Sequence, residues 1–423
     1  MKIMVVGGGG REHAIIRKLK ENPLIQRIYA LPGNGGIARD AECVAISAMD
    51  IPAQVDFAVK NGIDFAVVAP DDPLVLGAVD ALEEAGIPCF GPDQKAAIIE
   101  GSKAFAKDLM KKYGIPTAAY ETFTDLTAAL AYVENAPLPL VVKADGLALG
   151  KGVVIARTRQ EAAAAVKDAM ESKKFGKSGE TLVIEEFLTG PEVTVLALTD
   201  GKSIAPLSAS TDHKTAWEGD QGPNTGGMGT IAPTPFYTKE VAERCMEEIF
   251  LPTIRAMEKE DRPFKGCLYF GLMITPEGPK VIEYNCRFGD PETQVVLPLL
   301  KSDLLSLMLA VRAGRLEEAL PLQFYEGAAA CVIMASHGYP GSYEKGFPIS
   351  IPEELRERVI VAGAAEKDGA LVTSGGRVLG VIGRGDDLQA ALDEAYAAVE
   401  QIHFEKAIYR KDIGKKALEA ADA

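Results

Sequence analysis

Short β-branched runs alternate with helical stretches through the first hundred residues: Ile3 to Val6 then Arg11 to Lys20, Arg27 to Ala30, Phe65 to Ala69 then Leu74 to Ala85, and Ile87 to Phe90. That alternation leaves few options. Strands in this order pair in parallel through crossover helices, and ligands of such a sheet sit at the strands' carboxyl ends. Gly7 to Gly10 lie at such an end. Glycines let the backbone approach an anion, the following helix N-terminus presents free N–H groups, and Arg11 adds positive charge. A tight strand-to-helix turn with no ligand would use the same residues, but Pro32-Gly33-Asn34-Gly35-Gly36 at the next strand's end favours a site. As a dinucleotide fingerprint the stretch fails. Gly7-x-Gly9-x-x-Glu12 and Gly8-x-Gly10-x-x-His13 both lack the third glycine, and Tyr29-Ala30-Leu31-Pro32 carries no ribose-binding acid. A phosphorylated small molecule fits better than NAD.

A second character begins near Gly101. Helical Lys103 to Tyr113 leads to strands at Leu140 to Ala144, Gly152 to Ala156, Leu182 to Glu186 and Glu192 to Leu198, joined by glycine-rich turns, so an antiparallel α+β region is expected. Residues 208–235 show no periodicity, hold five glycines and the only tryptophan, Trp217, and read as a long functional loop. Strands return at Gly266 to Met273 and Lys280 to Asn285, and a final α/β segment starts near Gly327. With 423 residues and no repeat or polar linker, about three packed units sharing one site are expected. Forty-five Lys and Arg against 60 Asp and Glu give a net charge of −15, which argues against nucleic acid or anionic membrane as a partner. No apolar run approaches the roughly 18 residues of a membrane span and no signal-peptide layout is seen, so the expected location is the cytoplasm. The six cysteines are scattered without a Cys-x-x-Cys pair and the four histidines lack i, i+4 spacing, so a zinc site is not expected and any metal ligands are oxygens.

Three segments carry candidate chemistry. Lys143 to Gly152 looks like a P-loop, but only three residues separate Gly146 from Gly150, Gly152 follows Lys151, and a strand comes next instead of a helix. It reads as a glycine-rich flap between antiparallel strands, able to close on polyphosphate with backbone N–H groups and Lys151 while Lys143 aims a fixed cation from the strand; a plain flexible hairpin is the alternative. The apolar strand Leu182 to Leu188 is broken by Glu185 and Glu186, a weak signal alone. In the run from Val281 to Arg287, period-two geometry puts Glu283 and Asn285 on one face, with Arg287 following, which suits magnesium holding phosphate oxygens; a half-exposed strand would alternate in the same way.

In this order the segments resemble the glycinamide ribonucleotide synthetase (phosphoribosylamine–glycine ligase) family of the ATP-grasp superfamily, over essentially the whole chain. The resemblance rests on Gly7 to His13, Pro32 to Ala38, Lys143 to Val153, Asp212 to Lys214, Gly222 to Gly229, Asn285 to Gln294, Gly338 to Gly341 and Thr373 to Leu379. It implies an N-terminal parallel α/β domain over 1–101 that receives phosphoribosylamine, an ATP-grasp domain over 102–326 with a flap-bearing lid at about 120–190, and a small C-terminal α/β domain over 327–423. It further implies that Lys103, Lys143, Gly150 and Lys151 meet nucleotide phosphates, that Glu185, Glu186 and Leu188 line the adenine pocket, and that Glu192 holds the ribose. Glu283 and Asn285 would ligate magnesium or manganese; Gly10, Arg11, Asn34 and Lys214 would bind substrate; Lys143, Arg287, Asp212 and Asp290 would face the reacting centre. The family's usual Gln-Asp-His-Lys-Arg and Gly-Pro-Glu are here Thr211-Asp212-His213-Lys214-Thr215 and Ala69-Pro70-Asp71.

The implied reaction joins glycine to 5-phosphoribosylamine at the expense of ATP, giving ADP, phosphate and glycinamide ribonucleotide in purine synthesis by a monomeric enzyme. A glycine carboxylate is already ionised and attacks the γ-phosphate without a base, and the amine then attacks glycyl phosphate, so no enzyme nucleophile is needed. None is apparent in the sequence. The rival readings are another ATP-grasp ligase or carboxylase, a nicotinamide-dependent oxidoreductase and a nucleotide-binding regulator.

Overall fold

The computed structural model describes residues 1–147 and 152–421. Its first sheet is wholly parallel, built from β1 (Lys2–Gly7), β2 (Arg27–Pro32), β3 (Glu42–Cys43), β4 (Phe65–Val68) and β5 (Cys89–Phe90) in the order β3-β2-β1-β4-β5. Both faces are covered, which is why the strands read as unbroken apolar runs. Met4, Val6, Leu31 and Val68 enter one core and Ile3, Val5, Ala30 and Val67 another. Helix α1 (Gly10–Leu19) follows β1, with Glu12 reaching back 2.5 Å to the Gly9 N–H and Arg17 and Lys18 in the last turn, as the helix dipole favours. The single helix expected over Leu74 to Ala85 is two, Asp71–Val75 and Ala78–Glu84, because Gly77 between them takes a left-handed conformation at φ 86°.

The helix Lys103–Tyr113 matches its expected bounds, started by the Ser102 hydroxyl on the Phe105 N–H and stopped by left-handed Gly114. After it comes a four-stranded sheet of β6 (Tyr120–Phe123), β7 (Leu140–Ala144), β8 (Val153–Ala156) and β9 (Leu182–Glu186), with its own small core of Val133, Leu140, Val142, Val166 and Ile184. A second antiparallel sheet joins Glu192–Thr199, Ile204–Pro206, Gly266–Thr275 and Gly278–Asn285. Its core is continuous with that of the first sheet: Val195, Phe270 and Val281 lie in the cluster that holds Met4 and Val6.

The stretch 208–235, expected as a loop, contains strands. Thr211–Asp212 and Gly229–Ala232 extend the C-terminal sheet through Ala328–Ser336, so that sheet takes strands from both sides of residue 327. Thr215–Trp217 and Gln221–Asn224 form a hairpin whose Trp217 is exposed. Polar and glycine-rich composition hid these strands, since they are short and pair with partners remote in sequence. Among the described residues no helix is long and apolar enough to cross a membrane, and all six cysteines are free, Cys43 exposed and the rest buried.

Two histidines tie the C-terminal part down. His13 Nδ1 accepts the Val361 N–H at 2.8 Å, which leaves Nε2 to donate to Asp40 at 2.9 Å. His213 Nε2 accepts the Gly414 N–H at 3.0 Å, leaving Nδ1 to donate to the Gly229 carbonyl at 3.0 Å. Both contacts need a neutral ring. Burial lowers both groups, His213 to about 4. The unfolded chain therefore binds more protons between about pH 4 and 6.5, and stability is lost as pH falls through that window. For His213 the loss is on the order of 3 kcal/mol. Denaturation midpoints measured from pH 7 to 4 are expected to fall, with a shallower fall for His213→Gln.

Candidate active site

The carboxyl ends of the first sheet open toward the segment that follows Asn285. Gly8 approaches Gly33 so closely that a Cβ on Gly8 would lie 2.4 Å from the Gly33 carbonyl oxygen, so the two glycine-rich turns form one wall. Asn34 holds that wall together: Nδ2 donates to the carbonyls of Gly8, Val361 and Ala362, and Oδ1 accepts the N–H groups of Gly36 and Ile37. Its side chain is thus occupied in shaping the turn and joining it to the C-terminal part. Arg11 lies 2.6 Å from Glu12 Oε1 and donates to the Phe288 carbonyl at 3.2 Å. Asp290 Oδ2 receives the Arg11 N–H at 3.4 Å, while Oδ1 takes Gln294 Nε2 at 2.9 Å and faces Arg377 at 3.3 Å. Gly10 packs against Gln294, which a Cβ would meet at 2.7 Å. All three parts of the chain meet here.

A second group surrounds Glu283. Burial alone would raise its carboxyl, but Lys214, Lys143, Lys103 and Arg287 hold it below its ordinary value. Each cation comes from a different stretch. Lys143, on β7, lies 2.9 Å from Glu185 and donates to the Ile282 carbonyl at 3.2 Å. Lys103 donates to the Gly146 carbonyl at 3.0 Å, beside Asp145, which accepts the Ala104 N–H at 2.6 Å and so fastens the start of the flap to this helix. Lys214 is 3.1 Å from Glu192 and 3.6 Å from Glu283; burial would lower it, and the two carboxylates raise it well above an ordinary lysine. Arg287 pairs with Glu100 at 3.1 Å and with Asp71 at 3.7 Å. Asp71 therefore still faces the arginine despite being a methylene shorter than glutamate.

Glu283 and Asn285 do share a face. Tyr284 between them points into the core against Phe270. Asn285 donates to the Tyr284 carbonyl at 2.8 Å through Nδ2, which leaves its Oδ1 as a hard oxygen donor beside the Glu283 carboxylate. Among the described residues no three His, Cys, Asp or Glu side chains cluster as a self-sufficient metal site. Two protein oxygens suit magnesium, which keeps waters and takes its other ligands from phosphates.

The remaining expected residues are more dispersed. Glu185 is buried between Lys107 at 3.0 Å and Lys143, so it is a charge partner before it is a pocket wall. Glu186 is exposed and accepts the Ala119 N–H at 3.0 Å, and Leu188 is half-buried beyond the end of β9. Gly150 and Lys151 lie outside the described residues. Sequence reasoning missed Glu100, Lys107, Glu292 and Arg377. Arg377 and Glu292 were within reach, since they stand in the Thr373 to Leu379 and Asn285 to Gln294 motifs; Arg377 donates to the carbonyls of Gly226 at 2.5 Å and Asp290 at 2.9 Å and so clamps the Gly222 to Gly229 and Asn285 to Gln294 segments together. At Thr215, where the family carries arginine, Arg410 donates to the Thr215 hydroxyl at 2.8 Å and pairs with Asp220 at 3.0 Å. A cavity of about 580 Å³ lined by Ser336, His337, Tyr343 and Lys406 includes none of these residues.

Family models for phosphoribosylglycinamide synthetase match in three pieces: the N domain over residues 1–100, the ATP-grasp (A) domain over 101–293 and the C domain over 329–416. The chain belongs to the phosphoribosylglycinamide synthetase family. A phosphoribosylamine–glycine ligase of Caldanaerobacter subterraneus is 48% identical over 98% of this chain and 99% of its own length. The crystal structure of phosphoribosylamine–glycine ligase from Thermotoga maritima superposes with a TM-score of 0.85 at 35% identity, covering 98% of this chain and 100% of that one. The biotin carboxylase domain of a Hydrogenobacter thermophilus 2-oxoglutarate carboxylase gives a TM-score of 0.75 at 19% identity over 100% and 97% of the two chains, which shows a common fold and nothing more.

The ion triad at Glu185 makes a direct prediction. Glu185→Leu leaves two ammonium groups buried side by side, and removing one member of a buried ion pair costs about 3–5 kcal/mol. The urea midpoint should drop accordingly, with Glu185→Leu/Lys107→Met recovering part of the loss.

Proposed function

We propose that this chain is an ATP-dependent ligase joining glycine to 5-phosphoribosylamine through glycyl phosphate, with glycinamide ribonucleotide, ADP and phosphate as products. The observation that carries the reading is the convergence of Lys103, Lys143, Lys214 and Arg287 on Glu283, with Asn285 on the same face. In a chain of net charge −15, four cations gathered from separate stretches, each held by a carboxylate or carbonyl, offer the positive groups a bound polyphosphate needs. Lys103 and Lys143 take nucleotide phosphate oxygens in this scheme; Glu185, Glu186, Leu188 and Glu192 border the nucleoside. Glu283 and Asn285 hold magnesium or manganese, which neutralises phosphate charge when bound.

The glycine carboxylate attacks the γ-phosphate in line, and Lys143 and Arg287 offset the charge that spreads over the equatorial oxygens. Glu100 and Asp71 keep the Arg287 guanidinium in place for this. Phosphoribosylamine lies across the first domain, its phosphate near the turn shaped by Gly10, Arg11 and Asn34, which sets its amine toward Asp212, Lys214 and Asp290. Acyl phosphates hydrolyse, so water has to be kept out. In this scheme the glycine-rich segment that begins after Asp145 and the hairpin around Trp217 serve as the cover. The division of labour follows the three parts, 1–101 for the amine, 102–326 for ATP and glycine, and 327–423 as clamp, in a monomeric cytoplasmic enzyme.

ADP release measured with ATP and magnesium plus glycine, phosphoribosylamine, both or neither tests this. Full turnover is expected only with both, and ADP release driven by bicarbonate, or release indifferent to either substrate, overturns it. Glu283→Gln with Asn285→Ala is expected to abolish turnover without lowering the thermal midpoint by more than a few degrees. Arg11→Ala is expected to raise the KM for phosphoribosylamine by tens-fold, as for loss of a charge-assisted contact of about 1.5–3 kcal/mol, and that for ATP far less.

A further inference from the structure

The second half of the proposed reaction sheds a proton. An amine that attacks an acyl phosphate must lose one N–H, and the site holds few groups able to take it. Nearby carboxylates hold Lys214, Arg287 and Arg377 protonated, and the His213 ring is spent on Gly229 and Gly414. Among the carboxylates, Glu283 is ringed by cations and proposed to hold metal, Asp290 is bonded to Arg11, Gln294 and Arg377, and Glu100 is bound to Arg287 and the Cys286 N–H. Asp212 differs. Its Oδ1 is buried and has no hydrogen-bond partner.

The turn at Gly227 lies directly against this oxygen. The backbone of Gly227, at φ 110°, comes so near that a Cβ there would lie 2.6 Å from Asp212 Oδ1 and 2.5 Å from Pro291, so the Gly226-Gly227 turn covers the carboxylate with no side chain of its own. That turn is held from outside by Arg377 and by the Tyr339 hydroxyl on the Gly226 N–H. On the same side stands Glu292, buried, with the Thr194 hydroxyl 3.4 Å from Oε1 and 3.0 Å from the Tyr269 hydroxyl.

We propose that the Asp212 carboxylate takes the proton of the attacking amine and hands it to the departing phosphate, with Glu292 as the positioning residue behind it. This rests on the ligase reading above. The amine lone pair forms the C–N bond to the glycyl carbon, the C–O bond to phosphate breaks with its electron pair, and the N–H proton passes to Asp212 and from there to a phosphate oxygen. The carboxylate is regenerated and no outside acid or base is consumed. The surroundings of Asp212 suit a proton acceptor. Burial raises its affinity for a proton well above that of an ordinary aspartate, and Glu292 raises it further, while Lys214, Arg377 and the His213 N–H pull the other way. The Cys331 thiol nearby is held protonated by burial, as is the Tyr269 hydroxyl, so neither competes for the proton.

The test separates the two halves of the reaction with hydroxylamine, a nucleophile that traps acyl phosphates unaided. Wild-type protein with ATP, magnesium and glycine should form glycine hydroxamate; if it forms none, the ligase reading itself falls. In Asp212→Asn, amide formation from phosphoribosylamine is expected to drop at least about a hundred-fold, the scale of a lost general base, while hydroxamate formation drops less than about ten-fold. Equal losses in both, or retention of amide formation, overturn the proposal. Glu292→Gln supplies a readout that mere packing would not move. Activity requires ionised Asp212, so kcat/KM for the amine falls as pH drops through its titration, and removing the neighbouring negative charge should shift that acid limb to lower pH. An acid limb that stays in place overturns the proposal as well.

Discussion

Mutual repulsion among four buried or partly buried cations is the constraint that organises this site. Lys103, Lys143, Lys214 and Arg287 act together on one carboxylate, and without counter-charges they would not stay in one low-dielectric space. Each has its own acidic partner or carbonyl in addition to Glu283: Glu185 for Lys143, Glu192 for Lys214, Glu100 and Asp71 for Arg287, and the Gly146 carbonyl for Lys103. These partners lie on elements from four regions of the chain. Building the site and assembling the domains are therefore the same event.

The C-terminal part serves that assembly. Arg377 reaches from its sheet to the Gly226 and Asp290 carbonyls, Asn34 of the first domain donates to Val361 and Ala362, and two neutral imidazoles accept N–H groups from Val361 and Gly414. Strands from within the ATP-grasp region share one sheet with the C-terminal part, through Gly229–Ala232 against Ala328–Ser336. A shared sheet resists separation more than a polar contact would, because backbone pairs and a common core must break together. The turn at Gly226 is thereby fixed from the C-terminal side, through Arg377 and Tyr339, while it packs on Asp212 and Pro291.

Much of the local structure is legible in the sequence. Leu140 to Ala144, Leu182 to Glu186 and Lys103 to Tyr113 have the bounds their patterns predict, since each is a strong apolar run or a periodic helix with a Ser102 cap and a Gly114 stop. The same-face pair Glu283 and Asn285 follows from period-two alternation, and Lys143, Arg287 and Lys214 from motifs. Asn34 reads as a substrate contact because glycine-rich turns commonly bind anions, and its side-chain nitrogen and oxygen are engaged in the turn and in its link to the C-terminal part. Glu100 and Lys107 carry no motif and sit on helices that look like any other, so nothing local announces them.

Local chemistry in the chain therefore determined the element types outside residues 208–235, the parallel start and most of the residues that carry charge to the centre, because backbone period, glycine placement and side-chain class act over a few residues. Which cation meets which carboxylate was decided only by tertiary structure. Lys107 and Glu185 are 78 positions apart, Glu100 and Arg287 are 187 apart, and Asp212 acquires its unpartnered oxygen from Gly227 and the segment after Asp290. Coulomb energy depends on distance and burial, and neither is a property of the sequence interval.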